Sequence, residues 1–582
     1  MTRIFPLDDV VDEPWYPGYD PARNDDFVAF DRPGNFAPED VAAFWPLDFH
    51  YPRGVVPLGV AVIVSGACWG SQISAEAVPL PASRGLRGRF VGPHLYATEV
   101  PVVSPFEIEL RAGRAAQHMP ELIAGFPRMW ERAVAELERW QALERRELST
   151  LDRAGIGAFF DEAVTYVRRA WEIHFEAMYP LLANYVGFQG LCAELGLDPD
   201  QVATFLQGCP SKIVETDREL WRLTALAREQ GLEALFASTE AADLAEALRR
   251  APAARTWLRG FQAFLDVYGW RTEVITDVAV APWVEDPTSP LGTIKTLLAS
   301  DAHHDFDSVA EDAVAERTGA VADARSRLTG QELSVFDAAL ESCRAANFTW
   351  WNEEHNFYID LRAHIPVRRA ALALAHLLNV EERDDVFFLF SYELRDICAG
   401  RAEWSDLADV AAERRAWFTE WQGRRAALPR VLGTRPENLG DPVVREIFGM
   451  GRHYFEALAA DGAVTRLDGL PASSGVARGR ARVLLTPTEL HTIQAGEVLV
   501  CEATSPSWTP AFTRIAACIC DVGGSLTHAS IVSREYRIPC VTACAIATTT
   551  IRTGDIVEVD GTNGVVTIVS RSEAGTATVP VA

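Results

Sequence analysis

The sequence predicts a multidomain α+β chain: a large, mainly helical region with a β-containing N-terminal part, followed by a C-terminal α/β domain. Three observations carry this. At 582 residues the chain is too long for one hydrophobic core. Long stripes of apolar residues at spacings of three and four fill the middle, as in Met129 to Trp140 and along Phe160, Val164, Val167, Trp171, Phe175 and Met178. Towards the C-terminus, short apolar runs alternate with glycine turns, as in Ile515 to Cys520 before Gly523 and Gly524.

Residues 1–115 are rich in Pro, Gly and aromatics, and Val56 to Val64 and Arg87 to Val91 read as strands. His50 and His94 fall in loops and read as structural. Residues 116–460 read as the helical domain, punctuated at Gly208 and Pro210, at Pro282 to Gly292 and at Gly330. Residues 461–470 read as a hinge linker, 471–570 as the C-terminal domain and 571–582 as a frayed tail.

Composition narrows the partners. Hydrophobic content of 48% and charged content of 23% are ordinary for a globular protein. A net charge of −27 argues against a nucleic-acid surface and against anionic lipid. Met1 to Asp9 runs into acids, so no signal peptide is expected, and no apolar run reads as a membrane span. The ten cysteines form no CxxC pair, which points to reduced thiols in a cytoplasm. Cys518 and Cys520 alternate in a strand and read as packing residues.

The chemistry concentrates in two places. After the strand Ile515 to Cys520, the chain turns on Gly523 and Gly524 and restarts as a helix near Thr527. Such a turn aims free N–H groups outward, a ready anion site. His528 sits on the first helical turn, where a neutral imidazole beside a phosphate cradle suits a nucleophile. The second place is Trp350 to Arg362. On one helix, Glu354, Tyr358 and Arg362 share a face, with His355 on the neighbouring line. The stretch Asp301 to Asp307 has metal-like composition without zinc spacing, and no metal site is expected there.

The segment from about 468 to 570 resembles the swivelling phosphohistidine domain of PEP-utilising enzymes, such as phosphoenolpyruvate synthase, pyruvate phosphate dikinase and rifampicin phosphotransferase. The shared residues are Gly523, Gly524, His528, Ala529, Arg534, Glu535, Ile538 and Pro539, with flanks at Gly496 to Val500, at Thr504 to Phe512 and at Gly554 to Gly564. Leu206 to Gly208, Phe264 to Arg271, Pro282 to Pro287 and Asp384 to Leu389 resemble the region of rifampicin phosphotransferase between its nucleotide-binding and histidine domains. The relatives often carry an Arg-Glu pair where this chain has Asn352 before Glu353 and Glu354.

The resemblance implies a covalent phosphohistidine at His528, with Gly523, Gly524, Ser525 and Arg534 binding phosphate and the Thr527 hydroxyl assisting. Neither an ATP-grasp nor a phosphoenolpyruvate-binding barrel is legible, so a separate ATP-grasp subunit, carrying ATP with Mg²⁺, is the expected donor. This resembles two-component aryl dikinases, which yield an aryl phosphate, AMP and phosphate. A small phenolic acceptor would meet a base at His355 or Glu354, with Arg271, Arg362, Tyr358 and Trp351 binding it. A PEP-linked carrier serving a protein or another small acceptor is the alternative.

Overall fold

The computed structural model describes residues 4–5, 7, 15–23, 34–199, 201–272, 274–299, 306–435, 446–459, 464–505 and 508–572. The architecture is mixed α+β. Helices dominate up to residue 422, and a large sheet follows.

Two long helices, Pro105–Trp140 and Arg153–Glu194, form the spine of the helical region. Each starts at a polar cap: Ser104 accepts from the Glu107 amide and Asp152 from the Gly155 amide. The stripe Phe160, Val164, Val167, Trp171 and Phe175 is buried in a core that reaches from Trp15 to Phe418 and also takes in Leu526 of the C-terminal part. A second core, around Leu223, Trp257, Phe261 and Ile294, joins the helices Lys212–Glu229, Arg255–Tyr268 and Thr288–Leu298.

The N-terminal part is woven into this region. Strands β1 (Ile4–Phe5) and β2 (Phe44–Pro46) flank β5 (Val431–Thr434), while β3 (Ser83–Val91) and β4 (His94–Pro101) make a hairpin. The expected strand at Arg87 to Val91 therefore lies inside β3. The one expected at Val56 to Val64 does not form. Pro57–Ile63, a π-turn at Val64–Cys68 and Trp69–Ala77 make one helical stretch instead. A continuous apolar run has no alternation to separate a strand from a buried helix. By length and composition this stretch could cross a membrane, against expectation, yet 80% of its most apolar window is buried inside the protein. The helices also begin earlier than expected, at Pro105.

Among the described residues, the C-terminal part forms an eight-stranded sheet. Its strands are β6 (Arg466–Asp468), β7 (Leu470–Ser473), β8 (Val476–Val483), β9 (Val498–Cys501), β10 (Ala517–Cys520), β11 (Cys540–Thr542), β12 (Ile556–Asp560) and β13 (Val565–Ser570), in the order β6-β13-β12-β8-β9-β10-β11-β7. The centre, β8 to β11, is parallel and the rest antiparallel. Residues 466–468 and 470 of the expected linker thus belong to the sheet, and its residues 461–463 lie outside the described ones. Alternation along β10 sends Ala517 and Ile519 to one face and Cys518 and Cys520 to the other, under the helix His528–Glu535. All ten cysteines are free thiols.

Buried charges join the sheet to the helical region. Arg425 makes two bonds to Glu502, at 3.0 and 2.8 Å, and Arg430 bridges Glu502 at 2.7 Å and Asp521 at 3.3 Å. All four side chains are nearly inaccessible. Glu502→Gln should leave two buried guanidiniums undercompensated, at a cost of about 3–5 kcal/mol. Hydrogen exchange should then quicken at residues 446–450, with β9 and β10 still protected; unchanged exchange at 446–450 would refute this anchoring.

Candidate functional site

His528 opens the helix His528–Glu535, directly after Thr527 at the N-cap. The preceding turn needs glycine. Gly523 has φ +127°, and a Cβ there would meet the Thr527 hydroxyl at 2.9 Å. The His528 ring is buried. Its Nδ1 lies 2.9 Å from the Thr504 hydroxyl, and its Nε2 lies 3.2 Å from the Thr509 hydroxyl and 3.9 Å from a Glu353 oxygen. Burial, and then the nearby Arg271 charge, push its pKa down to about 3. The imidazole is therefore neutral and nucleophilic at ordinary pH.

The expected phosphate cradle is otherwise engaged. The Gly523 and Gly524 amides each donate, at 3.1 Å, to the carbonyls of Phe448 and Ile447. The Ser525 hydroxyl bonds the Glu446 carboxylate, and Arg534 donates to the Ser525 carbonyl at 2.8 Å. The Thr527 hydroxyl donates to the Gly524 carbonyl at 2.8 Å. In this arrangement the donors assigned to phosphate hold the chain instead. The sequence could not show this, because residues 446–448 are far away along the chain. Gly449 makes the approach possible: a Cβ on it would stand 2.3 Å from the Gly523 carbonyl oxygen.

The helical region meets His528 across a cavity of about 460 Å³. Its apolar walls include Phe49, Trp171, Phe175, Met178, Phe448 and Leu526. Its polar groups include His50, His174, His355, Asp360 and His528 itself. His50 is therefore a cavity residue, against expectation, with Nδ1 2.8 Å from an Asp48 oxygen. Burial opposes its protonation, but the Asp48 charge and hydrogen bond win and raise its pKa. His94 is structural: fully buried, it meets the Trp421 carbonyl at 3.3 Å.

The expected acceptor residues are brought together only in part. The helix Phe348–His355 passes into a π-turn, Asn356–Asp360, so Glu354, Tyr358 and Arg362 do not share one regular helical face. His355 does line the cavity, with Nδ1 2.9 Å from the Trp351 carbonyl and Nε2 3.2 Å from Asp360. Glu354 instead accepts from the Lys212 amide at 2.7 Å, capping another helix. Arg362 is locked to Glu144 by two bonds of 2.7 Å. Tyr358 packs edge-on against Trp130, and Trp351 stacks behind His355 with ring centroids 4.2 Å apart. None of these last four is among the cavity-lining residues. Arg271 lies over Trp283 and near enough to His528, Glu353 and Asp217 to shift all three.

The acid facing His528 is Glu353, one residue from the one expected. Neither of its oxygens has a hydrogen-bond partner among the described residues. Burial, followed by the Glu535 and Asp217 charges, pushes its pKa well above the carboxylate range. Burial also raises Asp217 to about 8 and Glu535 to about 7. Thr509, His174 and Asp360 were likewise not singled out. Their only signal was proximity to other motifs. The stretch Asp301 to Asp307 lies outside the residues whose side chains are described.

Residues 174–353 match the rifampicin phosphotransferase fourth domain, and residues 493–564 match the PEP-utilising enzyme mobile domain, the segment that carries His528. These two segments are thus similar to those of rifampicin phosphotransferases and PEP-utilising enzymes. It is 30% identical to the uncharacterized phosphotransferase YvkC of Bacillus subtilis over 71% of this chain and 49% of that protein. It is 29% identical to chondramide synthase cmdD of Chondromyces crocatus over 91% of this chain and 14% of that protein. A rifampicin phosphotransferase of Streptomyces sviceus is 28% identical over 58% of this chain and 37% of its own length. The chain thus spans half or less of these relatives. PEP-utilising enzymes work through a phosphohistidine, and the buried neutral ring of His528 has the state that such chemistry needs.

Because the buried pKa of His528 lies below its ordinary 6.5, this ring favours the observed arrangement fully above that value and less as pH falls toward 3. Glu353, Asp217 and Glu535, raised by burial, act in the opposite sense and lose their contribution as pH rises. Histidine ¹⁵N NMR should show His528 neutral from about pH 8 to about pH 5. A midpoint near 6.5 would mean that the ring is not buried in solution.

Proposed function

We propose that this chain is the phosphoryl-carrying and acceptor-binding part of a dikinase. His528 takes a phosphoryl group from ATP held with Mg²⁺ on a separate ATP-grasp subunit and passes it to the hydroxyl of a small, aromatic, phenolic acceptor. The observation that carries this reading is that His528 stands in the wall of an apolar, aromatic cavity in the helical region. Such a cavity suits an aromatic ring, and a hydroxyl within it lies against the carrier.

In the first step the His528 nitrogen attacks phosphorus, an N–P bond forms and a P–O bond of the nucleotide breaks. Water takes the other phosphoryl group as a second P–O bond breaks, so that ATP and water leave AMP, phosphate and the phosphohistidine. In the second, the acceptor oxygen attacks phosphorus, the N–P bond breaks and its electron pair returns to the ring. The acceptor's proton needs a base at the cavity. His50 is best placed: with Nδ1–H held by Asp48, its Nε2 can accept that proton. His355, the base expected from sequence, holds its Nδ1–H on the Trp351 carbonyl and turns its Nε2 toward Asp360, away from a free approach by the acceptor. Arg271 balances negative charge near His528.

Intact-mass measurement after incubation with ATP and Mg²⁺ tests the reading. Acid-labile phosphate should appear only when an ATP-grasp partner is added, and not on His528→Ala. Labelling by phosphoenolpyruvate instead would favour the PEP-linked carrier, a reading supported by 43% identity to phosphoenolpyruvate synthase of Pyrococcus furiosus over 111 residues. His50→Gln should leave that labelling intact and slow delivery to a phenol by roughly 10²–10⁴-fold. Unchanged delivery would remove His50 from the mechanism.

A further inference from the structure

Three buried side chains converge in the cavity wall in a way that the proposed transfer does not require. His174 comes from the helix Arg153–Glu194, His355 from the end of Phe348–His355, and Asp360 from the π-turn after it. One ligand atom from each lies within 4.8 Å of the other two. All three line the cavity.

Their hydrogen bonding does not close while the rings are neutral. The Trp351 carbonyl, 2.9 Å from His355 Nδ1, can only accept, so Nδ1 carries the proton there. In the neutral ring Nε2 is then a lone pair, and it faces the Asp360 oxygen Oδ2 at 3.2 Å. A carboxylate oxygen has no proton to offer it. On the other side, His174 Nδ1 faces Asp360 Oδ1 at 3.4 Å, and neither of these buried atoms has a hydrogen-bond partner among the described residues. A cation held between the two rings and the carboxylate satisfies all of these atoms together.

The donor set fits a divalent metal. Two imidazoles and one carboxylate, with a fourth position open to a cavity, is an arrangement that suits zinc. His355 Nε2 lies 3.2 Å from one Asp360 oxygen and His174 Nδ1 lies 3.4 Å from the other, so the carboxylate faces both rings at once, and one donor atom from each residue falls within the 4.8 Å that a shared ion can span. The Trp351 carbonyl and the stacked Trp351 ring hold His355 in orientation, as outer partners of metal-bound histidines do.

We propose that His174, His355 and Asp360 form a divalent-metal site of the zinc type in the acceptor cavity, with its open position turned to the acceptor. The site stands on geometry alone; its role rests on the function proposed above. There the metal binds the acceptor hydroxyl oxygen and lowers its pKa, the proton goes to His50, and the oxygen attacks phosphorus as the N–P bond breaks.

Chelator-treated full-length chain, dialysed against Zn²⁺ and assayed for metal, should retain one Zn²⁺ per chain. Asp360→Asn and His174→Gln should each weaken retention by roughly tenfold or more, since losing even the outer partners of a metal site has effects of that size. Because a variant can misfold, Co²⁺ is added to the unaltered chain as a second readout. It should give the visible absorption of a four-coordinate N/O site. No stoichiometric Zn²⁺ and no Co²⁺ spectrum would overturn the proposal, as would retention unchanged in both folded variants. The dialysis needs neither donor nor acceptor, so Zn²⁺ bound without any phosphoryl transfer supports the site and counts only against the proposed function.

Discussion

Much of this structure depends on how Arg425 and Arg430 are buried. Two guanidiniums from the segment that closes the helical region reach Glu502 and Asp521 of the carrier sheet, where water is excluded. Each charge is tolerable only while its partner is present. The same contact brings residues 446–449 alongside the glycine turn, so that the Gly523 and Gly524 amides find carbonyls in the docked arrangement. The ion pairs, the glycine contact and the shared cavity all lie along this one junction.

Docking also sets the chemistry. His528 is neutral because it is buried beside Arg271, and Glu353 is raised because it is buried beside other acids. Neither state belongs to the residue alone. A carrier that moved to another site would exchange these surroundings for new ones, and the nitrogen that is protected here would change its basicity on the way. One histidine can thus meet two different environments, provided that the buried charges of the interface can be separated and remade.

The local patterns were legible. The strand, glycine turn and helix around His528 follow from an apolar run, two glycines and the apolar residues after Thr527, all within about one segment of chain. The buried stripe from Phe160 to Phe175 follows from its helical spacing. Where local pattern is degenerate, the reading failed. The apolar run from Val56 has no alternation, so helix and strand were not distinguishable. At Glu354 and Arg362 the pattern assumed an unbroken helix, and the π-turn at Asn356–Asp360 altered every facing beyond it.

The sequence by itself determined the strand–glycine turn–helix that presents His528, and the helical frame, because each rests on contacts between residues close along the chain. Only the tertiary structure decided which acid faces His528, which donors are engaged, and that His50, His174 and Asp360 share a cavity with the carrier. Those facts depend on groups tens to hundreds of residues apart, brought together by the packing of long helices and by buried ion pairs. Spacing along a chain carries no information about such encounters until the core that enforces them has formed.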